Sequence, residues 1–187
     1  LEDTDTTRTV EGSGDLLIDQ LSQFGILSDE GYFPEGDQGA YGPYKQSERK
    51  IIYRTVIKEL SRRGRAYPDF CTPEDLDKIR KAQEANKVLP GYYGIYARDR
   101  NLSVEERIEK INAGTPWVIR FKSMGDHDQK TKFVDAIRGE IELQDNDTDV
   151  VILKSDGLPT YHFAHVCDDH FMRTTLISRG EEWIPST

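Results

Sequence analysis

The sequence has 187 residues, 36% hydrophobic and 32% charged, which is enough for one ordinary domain or one domain with a sizeable insertion. It contains no apolar run of the roughly 18 residues that a transmembrane helix needs, and no secretory signal opens it. Its two cysteines, Cys71 and Cys167, do not suggest a disulfide framework. These features argue against membrane and secreted proteins and favour a cytoplasmic protein.

The net charge of −9 is unevenly distributed along the chain. Residues 45–65 hold eight basic and two acidic side chains, so this stretch carries +6 and the rest of the chain carries −15. A local basic field can bind a phosphate backbone even on an acidic protein, because salt screens charges beyond roughly 10 Å. The alternative is a solvated helix face, and charge alone leaves both interpretations open.

Apolar spacing and capping residues predict helices in the first part of the chain. The first helix covers residues 10–24. The second covers residues 47–63 and carries the basic stretch. Thr72, followed by proline, predicts the start of a third helix, and Ser103-Val-Glu-Glu106 is a capping box that opens a fourth.

Later in the chain the apolar period changes to two, which predicts strands. The predicted strands cover residues 117–121, 136–143, 150–153, 161–166 and 175–178. Residues 145–147 are predicted to form a turn, and residues 168–173 a helical turn. The ends of the chain are therefore predicted to be α/β, and the middle a mixed insertion of helices and a small sheet.

The densest group of chemically active side chains lies near the end of the chain. Strand-like alternation places Tyr161, Phe163 and His165 on one face, with His162 and Ala164 on the other. A hydroxyl and an imidazole on one face can orient a small polar ligand. The alternative is a core strand whose polar tips are hydrogen-bonded inside the protein.

Arg179 follows the last predicted strand, at the position where ligands bind in open α/β sheets. Its guanidinium can pair with a ligand carboxylate through two hydrogen bonds, or with Glu181 or Glu182 inside the protein. Near the start of the chain, three acidic side chains within residues 2–5 can hold an ammonium group or form a solvated loop. The sequence alone leaves these alternatives open.

A metal site is the alternative for a segment with several potential ligands, namely His165, Cys167, Asp168, Asp169 and His170. Their spacing matches no closed zinc pattern. The two aspartates are better explained as caps of a turn that fix histidine side chains or backbone N–H groups. No metal is predicted there.

A set of sequence blocks resembles bacterial-type glutamyl-tRNA synthetases, in the order of that family and over nearly the whole chain. The blocks are Glu2-Asp-Thr-Asp5 with Arg8, Gly42–Arg49, Ala66-Tyr67 with Cys71–Glu74, Val118-Ile-Arg120, Lys154–His162, Asp168-Asp-His170 and Arg179–Trp183. The resemblance implies an α/β fold that is part of a Rossmann-like class I synthetase core with an inserted mixed α/β connective-peptide domain. By this resemblance residues 1–60 and 156–187 form the core, and residues 61–155 form the inserted domain, which binds the tRNA acceptor stem.

The resemblance also implies an activity and assigns site residues. The family uses ATP with Mg²⁺ to convert glutamate to glutamyl-adenylate, and then transfers glutamate to the 3′ end of its tRNA. By this resemblance Glu2 holds the ammonium group of glutamate, Arg179 takes its side-chain carboxylate, and Glu182 lies beside ATP. The rest of the pocket consists of Tyr161, His162, Phe163, Ala164 and His165, and the tRNA contacts are Arg8, Arg49, Arg62 and Arg63. No DNA or membrane partner is implied.

Several departures from the family pattern qualify these expectations. The family's His-Ile-Gly-His-type and Lys-Met-Ser-Lys-Ser-type phosphate-binding elements do not occur in the sequence, so the 187 residues alone are expected to be an inactive internal fragment. Some members hold zinc near the positions of Asp69, Cys71 and Tyr96. Only Cys71 is a thiol here, and no zinc is predicted. His165 stands where many members have Asn, which can also hydrogen-bond the substrate.

Two other functions are kept as alternatives. One is the truncated glutamyl-queuosine paralogue, which glutamylates a modified tRNA base, although residues 159–162 and 181–183 favour the full-length enzyme. The other is a non-catalytic tRNA-binding module, which the basic stretch and Tyr92, Tyr93 and Tyr96 would support.

Overall fold

The computed structural model describes residues 1–5 and 10–186 of the chain. These residues form two compact units. The first comprises Leu1–Ile57 and Asp156–Ser178, and the second comprises Lys58–Ser155 and Arg179–Thr187. The first unit is therefore built from two segments that are far apart in the sequence. In the described part of the chain, no helix combines the length and the apolar character that crossing a bilayer requires.

The described residues form helices and short strands in a mixed order. The α-helices are α1 (Ser13–Gln23), α2 (Lys50–Arg62), α3 (Pro73–Ala85), α4 (Val104–Asn112) and α5 (Tyr161–Phe171). The strands are β1 (Ala66–Asp69), β2 (Val118–Phe121), β3 (Lys130–Asp135), β4 (Gly139–Gln144) and β5 (Val151–Leu153). Short 3-10 helices occupy Gln46–Glu48, Gly94–Tyr96 and Glu181–Ser186.

Strand pairing is antiparallel throughout the described residues. β2 is the central strand of a sheet with the order β1-β2-β5, and its Phe121 lies opposite Ala66 of β1. β3 and β4 form a separate hairpin in which Lys130 lies opposite Gln144. Both sheets belong to the second unit. The segments assigned to a Rossmann-like core contribute α1, most of α2 and α5 to the first unit.

The helix predictions for the first part of the chain are confirmed as α1 to α4, with ends shifted by a few residues. α3 begins with a capping box, because the Thr72 hydroxyl accepts from the Asp75 N–H at 3.2 Å and the Asp75 carboxylate accepts from the Thr72 N–H at 3.1 Å. Ser103 and Glu106 make the equivalent pair at α4. After α2, Gly64 adopts φ 68°, the left-handed conformation that glycine favours at helix ends.

The strand prediction for residues 161–166 is wrong, because they form the first part of α5. The helical turn predicted at 168–173 is the continuation of the same helix. Its buried side chains include Phe163, Ala164 and Cys167, and this spacing of one and three residues gives one face of a helix. In a strand, Phe163 and Ala164 would point in opposite directions and could not share one interior.

Two other strand predictions need correction. Residues 175–178 lie in irregular backbone, so Arg179 does not follow a strand. The strand predicted at 136–143 is shortened, since its first part is the turn of the β3–β4 hairpin. The Asp135 carboxylate accepts from the N–H groups of Ile137 at 2.8 Å and Arg138 at 2.7 Å, which stabilises a turn there. The strands predicted near 117–121 and 150–153 are confirmed as β2 and β5.

Asp149 links several segments of the second unit. Its side chain is fully buried, with 0% exposure. It accepts from the Tyr67 hydroxyl at 2.6 Å, from the Arg100 guanidinium at 3.1 Å and from the Ser123 N–H at 2.8 Å. A buried charge is tolerated only when it is paired and hydrogen-bonded in this way. Asp149 therefore ties β1, the segment before α4 and the end of β2 together.

We expect Asp149→Ala to destabilise the second unit by about 3–5 kcal/mol, because it leaves the partly buried Arg100 charge and two donors without their acceptor. Asp77→Ala is the matched control, since Asp77 pairs with Arg80 and Lys81 on the exposed surface of α3 and should change stability only slightly. Denaturant unfolding of both variants measures the difference. Equal losses of stability would contradict the role of Asp149.

Candidate active site

A polar cluster lies at the start of α5 in the first unit. The Glu2 carboxylate contacts Nε2 of His165, and the rings of His165 and Tyr161 lie with their centroids 4.4 Å apart. Tyr161 and His165 are four residues apart, so they share one face of the helix. The structure thus brings together three of the residues that the sequence assigns to the glutamate pocket.

The other predicted pocket residues on α5 lie elsewhere. Phe163 and Ala164 are buried, and the Phe163 ring packs against Tyr53 with centroids 6.4 Å apart. His162 is exposed, with its ring centroid 5.2 Å from that of Tyr161. The prediction that Phe163 shares a face with Tyr161 and His165 is therefore wrong, because residues two apart diverge by about 200° on a helix. Phe163 instead anchors α5 to α2.

The segment at residues 1–5 is fixed on both sides of Glu2. The Leu1 carbonyl accepts from the Gln46 N–H at 3.0 Å. The Asp3 carboxylate accepts from the Ser47 N–H at 2.7 Å and from the Ser47 hydroxyl at 2.5 Å. The acidic segment at residues 2–5 is therefore not a freely solvated loop, and its neighbours direct Glu2 towards α5.

A buried ion pair lies beneath this cluster. Arg49, which is only 2% exposed, donates from Nε to Asp168 Oδ1 at 2.8 Å. The Tyr53 hydroxyl donates to the Asp168 carboxylate at 2.9 Å, and Gln46 Nε2 donates to it at 3.0 Å. Burial and the neighbouring carboxylate raise the pKa of Tyr53, which keeps its hydroxyl a proton donor. Asp168 therefore does not cap a turn, as its sequence position suggested, but joins α5 to α2.

Arg49 requires a correction among the predicted tRNA contacts. Its second guanidinium nitrogen donates to the carbonyls of Tyr41 and Pro43, each at 2.8 Å. A guanidinium this deeply buried presents no surface to a phosphate, so its role is structural. The pattern Gln46-Ser-Glu-Arg49 carries no sequence signal of burial, because a charged residue is usually exposed.

The other predicted tRNA contacts differ in their surroundings. The Arg62 and Arg63 side chains are 80% and 70% exposed. Each pairs with Glu59 of α2, at 4.0 Å and 2.7 Å respectively. Exposed pairs of this kind are weak and exchange readily for a phosphate partner. Arg8 lies outside the described residues.

Arg179 and Glu182 belong to the second unit. Arg179 is partly buried and stands in irregular backbone directly before the 3-10 helix Glu181–Ser186. Glu182 is exposed in the first turn of that helix. Glu181, one of the internal partners considered for Arg179, pairs with Arg138 of the β3–β4 hairpin.

Comparison with known proteins gives these sites a family context. The family model described as tRNA synthetases class I (E and Q), catalytic domain, matches residues 1–187. The chain belongs to this family of class I synthetases. It is 50% identical over 187 residues to a glutamate–tRNA ligase of Clostridium beijerinckii and 50% identical over 184 residues to one of Acetivibrio thermocellus. These alignments cover 100% and 98% of the chain, but 34% of each relative, so the chain spans about a third of their length.

A solved class I synthetase shares this architecture. The crystal structure of a glutamate tRNA ligase from Elizabethkingia meningosepticum, in complex with its amino acid, superposes with a TM-score of 0.83 at 40% sequence identity. The match covers 100% of this chain and 37% of that one. The class I assignment and the mixed α/β fold are therefore shown by sequence and by structure.

The sequence raises the question of zinc near Asp69, Cys71 and Tyr96, and one group of side chains in the second unit contains two of these residues. The ligand atoms of Asp69, Cys71 and Asp99 all lie within 4.8 Å of one another. The Tyr96 hydroxyl, in contrast, accepts a hydrogen bond from Asn86 Nδ2 at 3.1 Å. Whether this group can bind a metal depends on whether its three ligand atoms are available to a cation.

The carboxylates of this group already accept hydrogen bonds from arginine side chains. Arg120 donates from Nε to Asp69 at 2.5 Å, and Arg98 donates from Nε to Asp99 at 2.8 Å. Although burial opposes its ionisation, the Arg120 guanidinium holds the pKa of Asp69 below its usual value. Burial raises the pKa of the Cys71 thiol to about 11, so the thiolate that zinc requires is scarce at neutral pH. Two guanidinium groups supply the positive charge here, and the residues do not fit zinc.

The protein is expected to retain no stoichiometric zinc after exchange into metal-free buffer. Elemental analysis measures the metal content, and a chelator should leave the unfolding temperature unchanged, because no folding free energy comes from a metal. One zinc per chain that disappears in Cys71→Ser would contradict this expectation. The Cys167→Ser variant is the control for the other thiol, which is buried.

Proposed function

We propose that the gene product containing this sequence is a glutamate–tRNA ligase. It uses ATP with Mg²⁺ to form glutamyl-adenylate, releases pyrophosphate and transfers glutamate to the 3′ end of tRNA(Glu). The observation that carries this proposal is the cluster of Glu2, Tyr161 and His165, a carboxylate beside a hydroxyl and an imidazole, in a chain whose relatives are named glutamate–tRNA ligases. These groups match the ammonium and polar ends of an α-amino acid.

The contacts of Glu2, Tyr161 and His165 support their proposed roles, whereas the roles of Arg179 and Glu182 rest on the resemblance to the synthetase family. Glu2 receives the ammonium group of glutamate, which takes the place of His165 as the partner of its carboxylate. Tyr161 and His165 line the same side of the pocket from α5 and orient the substrate by hydrogen bonds. Arg179 takes the substrate side-chain carboxylate, and its charge selects glutamate over glutamine, whose amide cannot form a charged pair. Glu182 lies beside ATP.

The domain arrangement is part of the proposal. Residues 1–60 and 156–187 belong to a Rossmann-like catalytic core, and residues 61–155 form a connective-peptide domain that binds the tRNA acceptor stem. Support comes from the second unit, in which residues 58–155, together with Arg179–Thr187, form one compact body that contains the β1-β2-β5 sheet and the network of Asp149. The exposed cations Arg62 and Arg63 are proposed tRNA contacts, because both are accessible to a phosphate backbone.

Glu2→Gln should raise the KM for glutamate about 10- to 100-fold, because hydrogen bonds to a charged group contribute about 1.5–3 kcal/mol. The measurement is ATP–pyrophosphate exchange by the complete gene product, with tRNA at saturation. Glu35→Gln, at an exposed acid of the same unit, is the control and should leave the KM unchanged.

The wild-type result separates the functional alternatives. A gene product that binds tRNA but supports no exchange would be a non-catalytic tRNA-binding module. Exchange followed by attachment of glutamate to a modified base, rather than to the 3′ end, would identify the glutamyl-queuosine paralogue. An unchanged KM for glutamate in Glu2→Gln would contradict the proposal that Glu2 binds the ammonium group of the substrate.

Reversing both charges in Arg62→Glu/Arg63→Glu should weaken tRNA binding and reduce the slope of log K against log salt by about 1 to 2, since about 0.7–0.9 counterions are released per phosphate contact. Arg80→Glu/Lys81→Glu is a matched control. These two cations are similarly exposed on α3 and pair with Asp77 in the same i,i+3 and i,i+4 manner. A binding titration at several salt concentrations gives both slopes. Equal slopes for the two double variants would make Arg62 and Arg63 a solvated surface.

A further inference from the structure

The polar cluster of Glu2, Tyr161 and His165 depends on contacts between segments that are distant in the sequence. Glu2 comes from the start of the chain, whereas Tyr161 and His165 come from α5. No covalent constraint sets the distance between these two segments. Something in the first unit must therefore hold α5 and the segment around Glu2 in a fixed relation.

The geometry points to Asp168 as the residue that does this, and we propose that it is a positioning residue for glutamate binding. It lies three residues after His165, less than one turn further along α5. This inference rests on the proposed function, since it names the residue that places the ammonium acceptor Glu2 opposite Tyr161 and His165.

The first step of the argument is the contact between Asp168 and the segment at 46–53. Its carboxylate accepts from Arg49 Nε at 2.8 Å, from Gln46 Nε2 at 3.0 Å and from the Tyr53 hydroxyl at 2.9 Å. All three donors belong to α2 or to the turn just before it. A carboxylate with three donors in one interior has little freedom to shift, because each displacement would leave a buried polar group unpaired.

The second step leads from this turn to Glu2. Gln46, whose side chain binds Asp168, also donates its backbone N–H to the Leu1 carbonyl at 3.0 Å. The next residue, Ser47, donates its N–H and its hydroxyl to the Asp3 carboxylate. The residues on both sides of Glu2 are thus bound to the same turn that Asp168 holds.

The third step is that Arg49 cannot hold α5 and the turn before α2 together if Asp168 loses its charge. The other end of its guanidinium is bound to two backbone carbonyls, those of Tyr41 and Pro43. Without the carboxylate, Arg49 would remain a buried cation with only neutral partners, and the turn and α5 would move apart to admit water. A displacement near 1 Å at a substrate-positioning group can reduce catalysis about 100-fold.

The chain contains a matched buried aspartate in the second unit. Asp69 accepts from Arg120 Nε at 2.5 Å and from the Tyr92 hydroxyl at 2.8 Å, in the same way that Asp168 accepts from Arg49 and Tyr53. Both aspartates are buried, and both arginines are buried. Asp69→Asn therefore reproduces the loss of a buried charge pair without touching the contacts of Glu2.

The test compares Asp168→Asn with Asp69→Asn in the complete gene product, by unfolding temperature and by ATP–pyrophosphate exchange at saturating tRNA. Both substitutions should lower the unfolding temperature. Only Asp168→Asn should raise the KM for glutamate, by at least about tenfold, while the KM for ATP stays within about twofold. This separation distinguishes positioning from general stability. Equal effects of the two variants on the glutamate KM would overturn the proposal.

A milder pair of variants covers the case in which Asp168→Asn does not fold. Tyr53→Phe and Tyr92→Phe each remove one hydroxyl donor to a buried aspartate and keep the ring. Tyr53→Phe should raise the glutamate KM about two- to fivefold, and Tyr92→Phe should not. A glutamate KM that changes in Glu2→Gln but not in Asp168→Asn or Tyr53→Phe would contradict the positioning role of Asp168. The proposed function would be unaffected by that result. Absence of exchange in the wild type would refute both.

Discussion

The buried ion pair between Arg49 and Asp168 is the interaction on which the geometry of the candidate active site depends. Removing two charges from water is costly, and the cost is offset only when the geometry is tight and the remaining donors and acceptors are satisfied. Here Tyr53 and Gln46 complete the coordination of the carboxylate. Because these partners come from α5 and from the region of α2, satisfying one carboxylate fixes the relation of two distant segments.

The same chemistry organises the second unit. Asp69 binds Arg120 and Tyr92, and Asp149 binds Tyr67 and Arg100, so that carboxylates connect the β1-β2-β5 sheet to the loops around it. The Arg120 guanidinium also lies 3.9 Å from the centroid of the Tyr92 ring, a cation–π arrangement. A small three-stranded sheet buries little apolar surface, and the polar network supplies the connections between its edges.

Some of the structure was accessible from local sequence signals. The N-cap at Thr72 and the capping box at Ser103 marked the starts of α3 and α4, because a cap involves residues only three positions apart. The strand signal failed at Tyr161, where Tyr, Phe and His alternate with His and Ala. That alternation satisfies a period of two over five residues, but burial of Cys167 together with Phe163 and Ala164 requires a helix.

The sequence by itself determined the family, the helices that begin at capping residues, and the residue types of the proposed glutamate pocket. The tertiary structure alone decided that Arg49 is an internal ion-pair partner, that α5 is a helix, and that Glu2 meets His165. The physical reason is the range of the interactions. A cap or an apolar period acts within one or two turns, whereas Arg49 and Asp168 are 119 positions apart, and Glu2 and His165 are 163 apart.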